Sequence, residues 1–82
     1  MRIIIEVITP GNGKTYELML DDTITVGAAK EKVIEQIVAF EDGNIVFDDN
    51  AALFSPVTRT HLPDNKNLRA AGIKGGQTVY LL

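Results

Sequence analysis

The chain has 82 residues, no cysteine and a formal net charge of -3 at pH 7. This length supports one domain with a single two-layered core, and without cysteine neither a disulfide framework nor a thiolate metal site is possible. The eight basic residues are scattered, which argues against nucleic acid as a partner, and the N-terminal apolar run is too short to span a membrane. We therefore expect residues 1–82 to form one cytoplasmic domain whose partners are proteins.

The first two predicted strands are Met1–Thr9 and Thr15–Leu20, where apolar and polar residues alternate with the period of a half-buried strand. The turn residues of Pro10–Gly13 separate them, so the pattern predicts a β-hairpin. The side chains expected to face the core are Met1, Ile3, Ile5, Val7, Tyr16, Leu18 and Leu20.

One long helix is predicted over Thr23–Phe40, because apolar residues recur there at steps of three and four. Thr23 or Thr25 is expected to cap its first turn, and Gly43 offers the left-handed conformation that ends helices. The stripe expected to face the core consists of Val26, Ala29, Val33, Ile37 and Phe40.

The pattern of the rest of the chain predicts short strands and turns. Alternation predicts strands at Asn44–Asp48 and Gln77–Leu82, with Ala51–Ser55 as a candidate fourth strand between them. The longest irregular stretch is Pro56–Lys66. One helical turn is predicted over Leu68–Ala71, capped by Asn67 and stopped by Gly72, with Ile73 packing back on Leu68.

One motif imitates a nucleotide-binding loop. The sequence Gly11–Thr15 ends like a phosphate-binding loop, but Ile8 stands where that loop requires its first glycine. A strand follows it, whereas phosphate binding needs a helix whose N–H groups converge on the ligand. We therefore interpret Gly11–Thr15 as a plain hairpin turn and expect no nucleotide cofactor.

The candidate metal and catalytic residues are few. The acidic pairs Asp21–Asp22 and Asp48–Asp49 lack the regularly spaced oxygen ligands of a calcium-binding loop. We interpret the first pair as negative charge at the start of the helix and the second as residues of a turn. His61 is the one histidine. Ser55, Thr58 and Thr60 lie near it in sequence, but a nucleophile needs a base that a third group orients, and this spacing does not establish one. We expect no metal site, no cofactor and no catalysis.

The order of these elements is that of the β-grasp fold, and several stretches resemble ubiquitin. The stretches are GKTYELML at Gly13–Leu20, DTI at Asp22–Ile24, Ile45–Val46–Phe47, and the closing segment NLRAAGIKGGQTVYLL. The resemblance implies an α+β, ubiquitin-like β-grasp domain, with a mixed sheet of four to five strands packed on one α-helix. Because this fold serves many unrelated functions, the resemblance is specific for fold and weak for function.

Among bacterial members, the cadence L-x-x-A-G-I-x-x-G-x-x-V most resembles the YukD/EsaB-type proteins of type VII secretion. This likeness implies a non-catalytic protein-interaction module, accessory or regulatory to the secretion system, whose partners include secretion-system components. Two alternatives remain open at this point. One is a small β-grasp subunit of a multicomponent enzyme, such as an aromatic monooxygenase, and the other is a modifier or sulfur carrier with an altered C-terminus.

The candidate binding surface consists of the apolar residues that are not assigned to the core. It consists of the outward-facing residues Ile4, Ile8, Val46, Tyr80 and Leu82. In ubiquitin the corresponding face of the sheet is the main receptor-binding patch, and Val46 and Leu82 match its positions on the third and fifth strands. The leucine that ubiquitin presents from its first hairpin has no counterpart in Pro10–Gly13. A homodimer through this face is a further expectation.

Ubiquitin-like modifiers resemble one another in ending on a flexible Gly-Gly, whose carboxylate is activated. Here Gly75 and Gly76 are followed by six residues in which Val79 and Leu81 are expected in the core. We therefore predict a turn at Gly75–Gly76 and no conjugation.

Overall fold

The computed structural model describes residues 1–48 and 50–82. Its elements are β1 (Arg2–Thr9), β2 (Lys14–Asp21), α1 (Val26–Phe40), β3 (Leu53–Ser55), β4 (Thr60–His61) and β5 (Thr78–Leu81). The strands form one five-stranded sheet in the order β2-β1-β5-β3-β4. Strand β1 runs parallel to β5, and the other neighbours are antiparallel. The predicted α+β architecture, one helix on a mixed sheet, is confirmed.

The predicted hairpin is present, and its register extends from the pair Arg2–Asp21 to the pair Thr9–Lys14. The prediction was wrong for Met1, which is 73% exposed. Met1 lies outside the paired register, so no neighbouring strand holds its side chain over the core. Its amino group instead lies 2.9 Å from the carboxylate of Asp22.

Helix α1 begins three residues later than Thr23, the predicted start. Thr25 is the N-cap, and its hydroxyl accepts a hydrogen bond from the amide of Ala28 at 3.2 Å, which satisfies one of the free N–H groups of the first turn. The helix ends at Phe40, and Gly43 has a φ of 78°, the left-handed conformation predicted for the stop.

The core lies between one face of α1 and the inner face of the sheet. The four helix residues of the predicted stripe other than Phe40 are buried, namely Val26, Ala29, Val33 and Ile37. Phe40 is 65% exposed, so its assignment to the core was wrong. It belongs to the last turn of the helix, where its ring lies beside that of Tyr16 with centroids 6.1 Å apart.

The strand predicted at Asn44–Asp48 is absent, and this segment follows α1 as an irregular stretch. Ile45 and Phe47 are half-buried and pack against the core, which accounts for the apolar alternation that resembles a strand. The place in the sheet beside β5 is taken instead by β3, which begins at Leu53. Asp49, and with it the acidic pair and turn considered there, lies outside the described residues.

The stretch Pro56–Lys66 is less irregular than predicted, because it contains β4, which pairs with β3. Its last residues close over the start of α1. The amides of Val26 and Gly27 donate hydrogen bonds to the carbonyls of Lys66 and Asp64, at 2.8 and 3.1 Å. The loop thus satisfies two more of the free N–H groups at the helix N-terminus.

The turn predicted after Asn67 is confirmed. The Asn67 side chain accepts a hydrogen bond from the amide of Ala70 at 2.6 Å, and Gly72 has a φ of 83°. The amide of Ile73 then donates to the carbonyl of Leu68 at 2.9 Å, and both side chains are buried. This turn directs the chain into β5.

A buried carboxylate joins the helix entry to the closing segment. The side chain of Asp22 is 7% exposed and accepts hydrogen bonds from Nε and Nη2 of Arg69 at 3.2 and 3.3 Å. The amide of Arg69 donates to the carbonyl of Asp22 at 3.0 Å. Hydrogen bonds from the amino group of Met1, and next from Arg69, hold the pKa of Asp22 below its usual value.

A second cluster joins the hairpin to the end of α1. Glu41 occupies the C-cap, where the helix dipole disfavours a negative charge. Lys14 Nζ lies 2.9 Å from both carboxylate oxygens of Glu41, and the Tyr16 hydroxyl donates to Oε1 at 2.7 Å. The hydrogen bond from Lys14, and next that from Tyr16, lowers the pKa of Glu41. The cluster thus offsets the unfavourable position of this carboxylate.

The buried face of α1 can be tested with a pair of alanine substitutions. Ile37 is fully buried and Glu35 is exposed. Because truncating a buried isoleucine removes apolar contacts and leaves a cavity, Ile37→Ala should lower the free energy of unfolding by about 2–5 kcal/mol. Glu35→Ala should change it by less than about 0.5 kcal/mol. Urea denaturation measures both, and equal midpoints would show that the helix buries a different face.

The Glu41 cluster predicts how stability depends on pH. Because the pKa of Glu41 is lower in the folded state than in the unfolded chain, its stabilising contribution is complete above the ordinary carboxyl pKa. It is lost as the pH falls through the folded-state value. Urea midpoints measured from about pH 7 to about pH 2 should therefore fall for the wild type.

The matched variant is Glu41→Gln, which keeps an acceptor for Tyr16 but removes the charge facing Lys14. It should be less stable than the wild type near neutral pH and approach the wild type in acid. A constant difference between the two proteins across the pH range would contradict the assigned cause.

Candidate protein-interaction surface

The face of the sheet turned away from α1 is here called the open face. The strand pairings show which residues project from this face, because directly paired residues project from the same side of a sheet. Its residues are Thr15, Glu17, Met19 and Asp21 on β2, Arg2, Ile4, Glu6 and Ile8 on β1, Thr78 and Tyr80 on β5, Phe54 on β3 and His61 on β4.

A continuous row of large side chains crosses four strands of the open face. Ile8 pairs with Tyr80, Tyr80 with Phe54, and Phe54 with His61, and these four residues are here called the aromatic row. The rings of Phe54 and Tyr80 have centroids 6.4 Å apart, and those of Phe54 and His61 meet edge to face at 5.5 Å. Such contacts hold the rings in place without help from the helix.

The other half of the open face carries exposed apolar side chains and charged residues. Ile4 and Met19 face each other across β1 and β2, and each is 51% exposed. Glu6 and Glu17, here called the carboxylate pair, lie opposite one another in the same two strands. The hydroxyl of Thr78 donates to Oε1 of Glu6 at 3.2 Å. Like charges directly opposite in a sheet oppose folding, so this pair does not serve the fold.

Three of the five residues predicted as a binding surface lie together on the open face, namely Ile4, Ile8 and Tyr80. Their role in binding stays a prediction. Val46 does not lie in the sheet, because the strand expected to carry it is absent, and it is 92% exposed. Leu82 follows β5, is 54% exposed, and exchanges backbone hydrogen bonds with Ala52 at 2.9 and 3.0 Å.

Val46 and Leu82 instead border a groove of about 360 Å³ at the end of the sheet. Its other walls are the first hairpin turn and the segment that follows α1, including Pro10, Gly11 and Phe47. The structure therefore separates the predicted surface into two places, the open face and this groove.

Sequence reasoning missed three large side chains of the open face, Met19, Phe54 and His61. Met19 alternates with inward Leu18 and Leu20, and Phe54 alternates with buried Leu53 and Ser55, so the period of two identifies both. His61 had no such signal. Strand β4 has only two residues and reveals itself only through its pairing with β3.

The motifs interpreted as turns have that structure. The chain turns at residues 10–13, β2 then begins at Lys14, and the Lys14 ammonium group is engaged by Glu41. Gly76 has a φ of 85°, and its amide donates to the carbonyl of Ile4 at 2.8 Å.

Within residues 1–48 and 50–82, no three histidine, aspartate or glutamate side chains come together as metal ligands would. In the same part of the chain, no helix has the length and apolar composition that crossing a membrane requires.

No protein-family model matches this chain, and no curated protein matches it. Among solved structures, it is similar to ubiquitin of Caldiarchaeum subterraneum, with 24% identity and a TM-score of 0.72 over 99% of this chain and 91% of that chain. It is also similar to the UBL domain of Plasmodium falciparum Dsk2, with 21% identity and a TM-score of 0.76 over 99% of this chain and 96% of that one.

A ubiquitin-like domain of an Arabidopsis thaliana protein shows 23% identity and a TM-score of 0.73, over 99% of this chain and 76% of that one. Identities of this size show the fold alone. The chain therefore has the ubiquitin-like β-grasp fold that its sequence predicts.

Proposed function

We propose that this protein is a non-catalytic interaction module that binds another protein through the open face. The observation that carries the proposal is the aromatic row, in which three large side chains and an imidazole lie side by side on a sheet face that the helix does not cover. Ile4 and Met19 add exposed apolar side chains to the same face, on the far side of the carboxylate pair. Contiguous exposed apolar surface on a small domain usually marks an interface.

The chemistry of the aromatic row suits reversible binding. Tyrosine anchors interfaces because its ring buries apolar area while its hydroxyl stays hydrated in the free protein. Tyr80 is half-buried and lies on the central strand β5, between Ile8 and Phe54. Its position is therefore fixed before a partner arrives, which lowers the entropy lost on binding.

The narrower proposal is an accessory or regulatory component of a bacterial type VII secretion system, acting in the cytoplasm. Its support is the resemblance of the closing segment to YukD/EsaB-type proteins. The residues of that sequence pattern also have structural roles, since Leu68, Ile73 and Val79 are buried and Gly72 and Gly76 have positive φ. The presence of a secretion ATPase and small helical export substrates beside the gene is the independent observation that would support this assignment.

The proposal includes the absence of conjugation. In modifiers the Gly-Gly pair must leave the domain to reach the activating enzyme. Here Gly76 is bonded to Ile4, and the carbonyl of Gln77 accepts a hydrogen bond from the amide of Glu6 at 2.9 Å. Gly76 and Gln77 are thus hydrogen-bonded to β1 just before β5 begins.

The interaction surface can be tested with Tyr80→Asp. A charge placed in the middle of an apolar interface is desolvated without a partner, so affinity should fall by about tenfold to several hundredfold. The wild type and the variant would be used to capture partners from native cells, and each partner identified by mass spectrometry would then be titrated in purified form.

Two controls separate binding from folding and from net charge. Circular dichroism and urea denaturation establish that Tyr80→Asp is folded. Glu31→Asp keeps the charge of an exposed residue on α1, and Glu31→Arg reverses it. Both Glu31 variants should retain every partner. If Tyr80→Asp retains all partners, the open face is not the interface. If only Glu31→Arg loses them, the working surface is the helix.

A further inference from the structure

We propose that the partner bound by the open face presents an α-helix that carries an arginine or lysine, with an apolar residue one turn before it and another one turn after it. This inference rests on the proposed function, because it assumes that the open face docks a protein. It adds the chemistry of that protein, which follows from the carboxylate pair and from the apolar side chains on either side of it.

The carboxylate pair brings two negative charges as close together as neighbouring strands allow. The amide of Asp22 donates to the carbonyl of Met1 at 2.9 Å, so the pairs of β1 and β2 that exchange hydrogen bonds are those with an odd-numbered β1 residue. Glu6 and Glu17 therefore belong to the other set of pairs, whose Cα atoms are only about 4.5 Å apart. Both side chains are exposed.

The fold does not supply a cation for these carboxylates. In the described part of the chain, the ion pairs engage other carboxylates, and none includes Glu6 or Glu17. The Thr78 hydroxyl that donates to Glu6 is a neutral group. Arg2 also projects from the open face, but it lies opposite Asp21 and four residues from Glu6 along β1, a separation of about 13 Å. The charge of the pair is thus left for a partner to neutralise.

Apolar side chains lie on both sides of the carboxylate pair, along the line of β1. Ile8, with Tyr80 beside it, lies two residues from Glu6 in one direction. Ile4, with Met19 beside it, lies two residues away in the other direction. The open face therefore presents the order apolar, negative, apolar, and a complementary partner presents apolar, positive, apolar.

An α-helix laid along β1 has the spacing that this order requires. Residues four and eight apart on one side of a helix are separated by about 6 and about 12 Å along its axis. Residues two and four apart in a strand are separated by about 6.6 and about 13 Å. A helix also satisfies its own backbone hydrogen bonds, whereas a single strand resting on a sheet face leaves its N–H and C=O groups unpaired.

Arginine suits the central position of such a helix better than lysine. Its planar guanidinium carries five N–H donors and can bond to both carboxylates at once, whereas the lysine ammonium is a compact point charge. A bound guanidinium also removes the repulsion that the free protein retains between Glu6 and Glu17. The carboxylate pair therefore opposes folding and favours the complex.

Selection from a library of helices tests this chemistry without a known partner. The helices would be displayed on one helical-bundle scaffold, with the residues of one exposed face randomised. They would be selected for binding to the wild type and depleted of binders to Tyr80→Asp, which retains those that bind the open face. The selected helices should carry arginine or lysine, with apolar residues four positions before and four positions after it, and their affinity should fall as salt is raised.

Titration of a selected helix against variants then isolates the role of the carboxylates. Glu17→Gln keeps the shape of the side chain and should raise the dissociation constant about tenfold. Its urea midpoint should not fall below that of the wild type, because the substitution removes a repulsion. Replacing the central basic residue of the helix by glutamine should abolish the difference between Glu17→Gln and the wild type. Glu31→Gln removes one charge from α1 and should leave the affinity unchanged.

Selected helices that lack a basic residue overturn the inference, and so do helices whose affinity Glu17→Gln leaves unchanged. Failure to select any helix that distinguishes the wild type from Tyr80→Asp overturns it as well. The proposed function is tested separately, by the capture of native partners. Native partners that Tyr80→Asp fails to capture, together with helices that bind the open face through a neutral or acidic centre, would leave the proposed function standing and this inference rejected.

Discussion

The parallel pairing of β1 with β5 is the contact on which the rest of the structure depends. It joins Val7 to Val79, two buried residues from opposite ends of the chain, at the centre of the sheet. Without it β2 and β1 form an isolated hairpin and β3 and β4 have no sheet to join, and two-stranded structures are at best marginally stable in water. The turn at Gly72 and the positive φ of Gly76 bring β5 into this position.

The same pairing also shapes the surface on which the proposed function rests. The inner face of the sheet packs against α1. The polar clusters around Asp22 and Glu41 join the two ends of the helix to neighbouring segments of the chain. Outside these contacts lies the open face, whose aromatic row is assembled only when β5 lies between β1 and β3. The same strand that completes the fold therefore completes the proposed binding surface, which is why the residues after Gly76 belong to the domain and do not act as a tail.

Much of this arrangement could be predicted from the sequence, because local signals and packing agree. The period of two placed both strands of the hairpin, and the period of 3.6 placed α1 and four of its five expected core residues. Prediction failed where apolar side chains reach the core without a strand, as at Ile45 and Phe47, and so Val46 was assigned to the sheet. It failed again at β4, where two residues carry no periodicity and pairing with β3 alone defines the strand. Prediction also failed at Phe40. The helical period shows which side of α1 faces the sheet, but it does not show how far along the helix the sheet extends.

Truncation after Gly76 tests the central claim most directly, because it removes β5 and leaves every other strand and the helix in the chain. If β5 completes both the core and the open face, the truncated chain should lose the dispersed amide resonances of a folded sheet in a two-dimensional NMR spectrum, and it should show no cooperative unfolding in urea. A truncated chain that keeps the resonance dispersion and the unfolding transition of the full chain would contradict the account, and would return Gly75 and Gly76 to the role of a modifier's tail.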